Sequence, residues 1–508
     1  MSHPSDSSPS RPAADVCVIG SGAMGIALAV KLAKAGKSVL IVEAGGTEIS
    51  ESSQKFYECQ SIGRPHPGST DSRFRVFGGS TERWGGQAMR FNPIDVSRRP
   101  WMNAREWPVP YDEIYRYYPE AEAFLGLEDP PYEGISSEID SLSSKLALPP
   151  RPFGTESSPF MLHASVFMKQ PRLREMYAKD LRHPNVTVVR EAAAVRLETD
   201  GSGTVTGVVV RTPDQDRLLT AGQYVLAAGG IENARFLLIQ RDLHAVPELA
   251  EHDAIGRYFQ DHPGVHVAEV TGRGAALFQN AFRMKSTPSM FIKGRITWSE
   301  SFRRNHELVS VSGTFLMSRR PTSFDIDLPA SATRRGNASE WVSSLACLAR
   351  GIMYSPLHHT VLAVSAEDVP DEDSRITLSR DRTDPHGLPA AVVDWRVSRM
   401  VADSIIRFAD SFEQAYRDAR WGEIRRFSFT RDVEALIPHL KDNAHHIGST
   451  SMGSTAKEGV IDGDAKVFGF SNFHVAGTSA LPTGSHANPT LTALALCLRL
   501  ADKLKVVC

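Results

Sequence analysis

Near the start of the chain an unbroken apolar run, Asp15–Ile19 (D-V-C-V-I), leads into Gly20-Ser21-Gly22-Ala23-Met24-Gly25 and then into apolar positions at helical spacing over Ile26–Ala35. A short run that is apolar at nearly every position predicts a strand buried on both faces. The 3.6-residue period after it predicts an amphipathic helix that stops at Gly36. Ser38–Val42 predicts a second strand, closing on Glu43. The unit is strand, tight turn, helix, strand, the opening of a parallel α/β layer. Farther along, Asn185–Arg190, Ala194–Thr199 and Val205–Arg211 alternate like three strands of a meander. They feed a strand at Tyr224–Ala227, a Gly-rich turn, and a helix from Ile231 through Leu238. In the middle of the chain, strand-like runs fall at Val265–Thr271, Leu308–Met317, Thr360–Ala366, Ile376–Leu378 and Ala391–Trp395, and Val401–Ala419 has a helical period. This part predicts a mixed antiparallel sheet backed by helices.

Composition narrows the function classes. The 508 residues suffice for two to four domain-sized units. Lys plus Arg number 57 and Asp plus Glu 59, a formal charge of −2, so no global field recruits nucleic acid or anionic lipid, and a neutral polyol fits as substrate. The five cysteines are scattered, with no C-x-x-C pair and no zinc spacing, which fits a reducing compartment. Residues 1–14, rich in Ser and Pro, lack the basic patch and apolar run of a secretory signal and read as a disordered tail. No stretch reaches the ~18 apolar residues of a membrane span. A cytoplasmic location is expected; the oligomeric state stays open.

The turn after the first strand matches G-x-G-x-x-G. Gly20 permits the tight turn, Gly22 lets backbone N–H groups approach a pyrophosphate, and Gly25 lets helix and strand pack closely, with phosphate at the helix N-terminus. Glu43 lies where a carboxylate accepts ribose hydroxyls and repels a 2′-phosphate, which disfavours NADP. The motif alone does not separate NAD from FAD. The second Gly-rich strand end, Ala227-Ala228-Gly229-Gly230, recurs in flavoproteins with two dinucleotide-binding units.

Four further blocks carry a family likeness. Arg75-Val76-Phe77-Gly78-Gly79-Ser80-Thr81-Glu82-Arg83-Trp84-Gly85-Gly86-Gln87 resembles the flavin-facing loop of the glucose-methanol-choline (GMC) oxidoreductases. His445-His446-Ile447-Gly448-Ser449-Thr450-Ser451-Met452-Gly453, the segment from Val460 through Gly477 to Thr483, and His486-Ala487-Asn488-Pro489-Thr490 resemble that family's C-terminal blocks in their order. The F-G-G-S-T loop, the N-P-T-L-T ending and Ser374–Leu378 with Gly387-Leu388-Pro389 are similar to the branch of pyranose 2-oxidases and bacterial glycoside 3-oxidases.

The resemblance implies a Rossmann-like FAD-binding domain (15–95, 180–264 and 433–508) interleaved with an α+β substrate domain (265–432), with 96–179 as a lid or connecting segment. It implies FAD, held by Gly20, Gly22, Ala23, Met24, Gly25, Glu43, Ala44, Arg75, Gly78, Gly79, Ser80, Arg83, Trp84, Gly85, Gly86, Ala194, Ala227, Gly229, Gly477, Thr478, Asn488, Pro489 and Thr490. Fungal pyranose oxidases carry a flavin-linked histidine before the loop tryptophan; Arg83 stands there, which implies non-covalent binding. The implied reaction oxidises a secondary hydroxyl of a sugar or glycoside, at C2 or C3, passing hydride to flavin N5. O2 or a quinone-type acceptor then takes the electrons.

Such chemistry needs a base at the hydroxyl oxygen, and a histidine neutral at working pH supplies one. His445 matches the family's base and Asn488 its hydrogen-bonding partner. His446 is the rival if the loop register slips by one, and His486 is a weaker rival. His262 reads as a brace at a domain junction, and the pair His358 and His359 as a solvated loop. Trp298, Trp341, Phe315 and Tyr354 are available as a sugar platform or as core. Gly85 leaves room for a wide site. The basic stretch Ser318–Arg320 and Arg334–Arg335 reads as a mobile surface loop that gates the pocket. No metal site is expected. A non-sugar alcohol as substrate, a lyase on the flavin fold and a nicotinamide dehydrogenase remain as alternatives.

Overall fold

The computed structural model describes residues 13–133, 135–156, 158–320 and 334–507. The tail expected at 1–14 therefore lies outside it up to residue 12, and so does the middle of the expected gating loop, 321–333.

The apolar runs Ala14–Ile19, Val39–Val42 and Ala221–Leu226 form the centre of a five-stranded sheet, flanked by Phe473–Val475 and Val186–Val189. All neighbours pair in parallel. Val16, Cys17 and Val18 are fully buried in a core shared with the helix Ala23–Lys34 and with Val205, Val208 and Val210. The helix Ala23–Lys34 is buried nearly all round, since the terminal helix Thr490–Val507 lies against its outer side.

The meander differs from its expectation. Val186–Val189 leaves it and joins the parallel sheet beside Val39–Val42, while Asp216–Leu219 takes its place after Ala193–Thr199 and Val205–Arg211. Asp216–Leu219 (D-R-L-L) is a largely exposed edge with its two apolar residues adjacent, so it shows no apolar alternation to read.

A second sheet is antiparallel throughout. Its order runs Ile424–Arg426, Gly264–Val270, His359–Ala366, Val311–Ser318, Met290–Trp298, Phe160–Met168, Gln87–Ala88, with Lys285–Ser286 pairing Met290–Trp298. Phe160–Met168, from the segment read as connecting, is an inner strand here. One face carries Ile296, Phe315, Leu362 and Val364, packed on Phe408 and Phe412 of the helix Arg399–Asp418 and on Phe278. The period-2 alternation then puts Lys293, Arg295, Thr314 and Ser365 on the other face. Arg375–Thr383 and Pro389–Trp395 belong to a separate three-stranded sheet with Gln60–Gly63.

Two polar expectations change. His359 is buried at the start of its strand, and its Nδ1 lies 2.7 Å from Glu269 Oε1, so it is not a solvated loop residue. Arg334 is tied to Glu269 (3.0 Å) and Glu340 rather than loose. Trp298, Phe315 and Tyr354 are core residues and Trp341 is exposed; none lines the cavity described next.

Candidate active site

A cavity of about 770 Å³ runs from the carboxyl ends of the parallel strands to the loop 443–446. Apart from Gly25 and Gly78, every residue expected to hold the cofactor lines it, and so does His445. Gly25 stands behind the wall, where a Cβ would meet Gly20 O at 2.0 Å; Gly78 donates its N–H to Ser21 Oγ at 3.0 Å. Glu43 receives the N–H groups of Ser21 (3.0 Å) and Gly45 (2.6 Å) and the Ser21 hydroxyl, which clamps the turn. Oε2 takes both Ser21 donors, while Oε1 takes only Gly45 and retains acceptor capacity for a ribose hydroxyl. The sequence reading had missed Tyr57, Arg73, Arg235 and His386, which also line the cavity, because they come from loops and helix faces without a motif.

The walls suit FAD on three grounds. A Cβ on Gly22, Gly85 or Gly229 would meet no protein atom within 4 Å, so these backbones leave open space along the cavity. The first-turn N–H groups of Ala23–Lys34 face it without intrahelical partners. Gln87 Nε2 is buried in the wall with no hydrogen-bond partner among the described residues, a donor awaiting an acceptor.

At the far end, a chain of hydrogen bonds assigns protons to the histidines. Gly484 O can only accept, so His262 Nε2, 3.1 Å away, carries the hydrogen. Neutral His262 therefore has a bare Nδ1, and His445 Nδ1, at 2.8 Å, must donate to it. His445 Nε2 is then the lone-pair nitrogen, and it lies 2.8 Å from Asn488 Nδ2. Burial, helped by the neighbouring His262 and opposed by Asp261, pushes His445 down to about 3. It is uncharged at any ordinary pH.

Asp261 holds this arrangement in place. Its Oδ1 accepts the N–H of His262 (2.6 Å) and of Asn443 (3.1 Å), and its Oδ2 accepts the N–H of His445 (3.0 Å) and lies 3.0 Å from His66 Nε2. Burial acts to raise its carboxyl, but the His66 hydrogen bond and the nearby histidines outweigh that and keep it ionised, well below the usual range. The clamp offsets backbone strain at Ala444, which lies between Asn443 and His445 and occupies the left-handed region (φ 59°) at about 1 kcal/mol or more.

His446 borders the cavity too, yet its ring packs near His66 and Phe259 and its Nε2 finds no partner among the described residues. Ligand atoms of His66, Asp261 and His446 lie within 4.8 Å of one another, a grouping not anticipated from the sequence, which gave no metal spacing. His486 turns instead to Ser310, with Nδ1 2.6 Å from Oγ.

A family profile described as "FAD dependent oxidoreductase" matches residues 15–278, more than half of the chain, and one described as "GMC oxidoreductase" matches 370–497. The chain belongs to the FAD-dependent GMC oxidoreductases. Among relatives of this GMC protein, the fructose dehydrogenase large subunit of Gluconobacter japonicus is 24% identical over 96% of the chain and 97% of its own length. C-glycoside 3-oxidase of Arthrobacter globiformis is 30% identical, over 27% of the chain and 25% of its own length. The solved structure of a pyridoxine 4-oxidase from "Mesorbium loti" superposes with a TM-score of 0.59 at 15% identity, covering 96% and 99% of the two chains. Among the described residues no helix of the GMC protein is long and apolar enough to cross a membrane.

Five histidines are strongly depressed, His163 well below its ordinary value, His445, His446 and His486 to about 3 and His474 to about 4, and each owes it first to burial. Unfolded, each takes up a proton below about pH 6.5; folded, none does until far lower. The contribution of these rings to stability is therefore complete above pH 6.5 and falls as the pH drops, opposed in part by Asp368, whose carboxyl burial pushes up to about 8. Melting temperature measured from pH 7.5 to 5 is expected to decline by several degrees; a flat profile would contradict the burial of these rings.

Proposed function

We propose that this protein oxidises a secondary hydroxyl of a sugar or glycoside, at C2 or C3, to the keto-sugar, with His445 as base and Asn488 as its partner. The observation that carries the reading is the hydrogen-bond chain from Gly484 through His262 and His445 to Asn488, which makes Nε2 the acceptor nitrogen of His445, held by the Asn488 amide at the cavity. A substrate oxygen that enters beside the pair takes the place of the Asn488 amide on the Nε2 lone pair, gives its proton to His445 and accepts a hydrogen bond from the released Asn488 Nδ2. The amide does not titrate, so it steadies the developing alkoxide without competing for the proton. FAD, when bound, supplies the acceptor for the hydride that leaves the adjacent carbon.

The sugar assignment is supported by the full-length likeness to fructose dehydrogenase and the partial one to C-glycoside 3-oxidase. Residues 15–95, 180–264 and 433–508 make up the FAD-binding unit in this reading, and 265–432 the substrate unit. The absence of a histidine before Trp84 supports non-covalent binding, with O2 or a quinone-type acceptor completing turnover.

The test is anaerobic mixing of holoenzyme with monosaccharides and with O- and C-glycosides, following flavin absorbance, then NMR of the product. Bleaching with a keto-sugar product is expected. Bleaching only by small aliphatic alcohols would overturn the sugar assignment, and no bleaching by any alcohol would overturn the reaction class. Trichloroacetic acid precipitation is expected to leave the flavin in the supernatant.

A further inference from the structure

The face of the antiparallel sheet opposite the aromatic core carries two basic side chains with no anionic partner among the described residues. Arg295 stands directly across from His163, and Lys293 across from Ser165, so all four project to the same side. Two ends of that side meet the cavity described above. Phe167, across from Phe291, lines it, and Ser365 Oγ accepts a hydrogen bond from Asn443 Nδ2 (3.0 Å), two residues before His445. The rings of His163 and His486 are 5.4 Å apart, and Asn488 follows two residues later. The basic pair thus sits beside the His445–Asn488 end of the cavity.

Arg295 makes a single hydrogen bond, Nε to Ser165 Oγ at 3.3 Å, and neither it nor Lys293 has a carboxylate partner among the described residues. Both are intermediate in exposure and neither lines the cavity itself, but Arg295 lies close enough to His445 and His486 for its charge to disfavour protonation of both rings. Burial lowers the basicity of both, to about 10 for Arg295 and about 8 for Lys293, and no carboxylate restores it. Next to them, His163 Nε2 and Ser312 Oγ are buried without a hydrogen-bond partner among the described residues.

The neighbouring buried cations behave otherwise. Arg99 and Arg303 are matched by Glu367 and Asp95, two charges against two, at 2.6–3.3 Å. Burying a cation without a counter-charge is costly, and the cost is recovered when an anion arrives to pair with it. Arginine also offers a planar fork that fits two oxygens of an oxyacid, while lysine adds a point charge.

We propose that the substrate carries an anionic oxyacid group, a carboxylate or a phosphate ester, bound by Lys293 and Arg295 while His445 and Asn488 hold the reacting hydroxyl. This rests on the reading of the cavity given above and names its substrate class as acidic sugars or hydroxy acids. The near-zero net charge of the chain suggested a neutral polyol, but a whole-chain sum does not register two cations in one enclosed place.

Binding to the holoenzyme, followed by flavin absorbance and by calorimetry, tests this without turnover. Acetate and inorganic phosphate are the charged probes and acetamide is the neutral analogue of acetate. At least one anion is expected to bind tenfold or more tightly than acetamide. Preference for acetate indicates a carboxylate substrate, and preference for phosphate indicates a phosphate ester. Arg295→Gln and Lys293→Met, each checked for FAD content and melting temperature, are expected to weaken the anion tenfold or more and leave acetamide unchanged. Lys293→Met carries the test if Arg295→Gln does not fold. Equal binding of anion and amide, no detectable anion binding, or folded variants that bind anions as wild type does would each overturn the proposal. Because no proton is abstracted in this measurement, its outcome is independent of whether His445 is the base.

Discussion

His445→Ala is expected to retain FAD and to lose anaerobic flavin bleaching by a factor of about 10² to 10⁴, the range that a positioned base contributes. The size of the loss follows from the proton assignment. His262 gives its only hydrogen to Gly484 O, so the sole lone pair this chain of rings presents to the cavity is His445 Nε2. Asn488 still offers its N–H after the substitution, but an amide takes up no proton. Truncation also leaves buried His262 Nδ1 without its donor, which costs about 1–3 kcal/mol and lowers the melting temperature. His446→Ala is the control for a one-residue shift in register. Its ring faces His66 and Phe259, so bleaching is expected to slow less than tenfold. If His446→Ala abolished bleaching while His445→Ala did not, the two roles would have to be exchanged.

Gly25→Ala is expected to yield protein without FAD and with a clearly lower melting temperature. The added Cβ would stand 2.0 Å from Gly20 O, and backbone cannot swing aside as a side chain can, so the nucleotide turn itself must shift. Overpacking of this kind costs about 1–3 kcal/mol or more. Gly22→Val tests the same turn in the opposite sense. Its side chain would start in open space, so the apoprotein is expected to melt as wild type does, while the methyl groups fill the place where a pyrophosphate approaches the helix N-terminus. FAD content on purification and apoprotein melting temperature separate the two effects. Normal FAD content in Gly22→Val would contradict the placement of the cofactor in this cavity.

Several of these features are legible in the residues themselves. A buried strand, a turn that only glycine can make and an amphipathic helix are local products of backbone sterics and hydrophobic period, so Ala14–Ile19, the Gly20–Gly25 turn and Ala23–Lys34 emerge from the sequence within a few residues. Glu43 is legible for the same reason, since it closes the next strand of the same unit. His445 and Asn488 became candidates because motif blocks carry their order, although nothing in either residue type distinguishes a base from a spacer.

Tertiary structure alone decided the rest, because the quantities involved are distances between residues far apart in the chain. Val186–Val189 reads like a meander strand by its alternation, yet pairing with Val39–Val42 assigns it to the parallel sheet. Asp261 and His262 look like a loop brace, and only the approach of 261–262 to 443–445 makes them the clamp and the proton-fixing partner of His445. Lys293 and Arg295 are two of 57 basic residues in a nearly neutral chain. Their meaning depends on which face of Met290–Trp298 turns toward the cavity and on the absence of a described carboxylate there, which a sequence does not encode position by position. Local sterics and period thus determined the nucleotide-binding unit, whereas long-range packing determined which histidine turns an acceptor nitrogen to Asn488 and where positive charge stands without a described carboxylate.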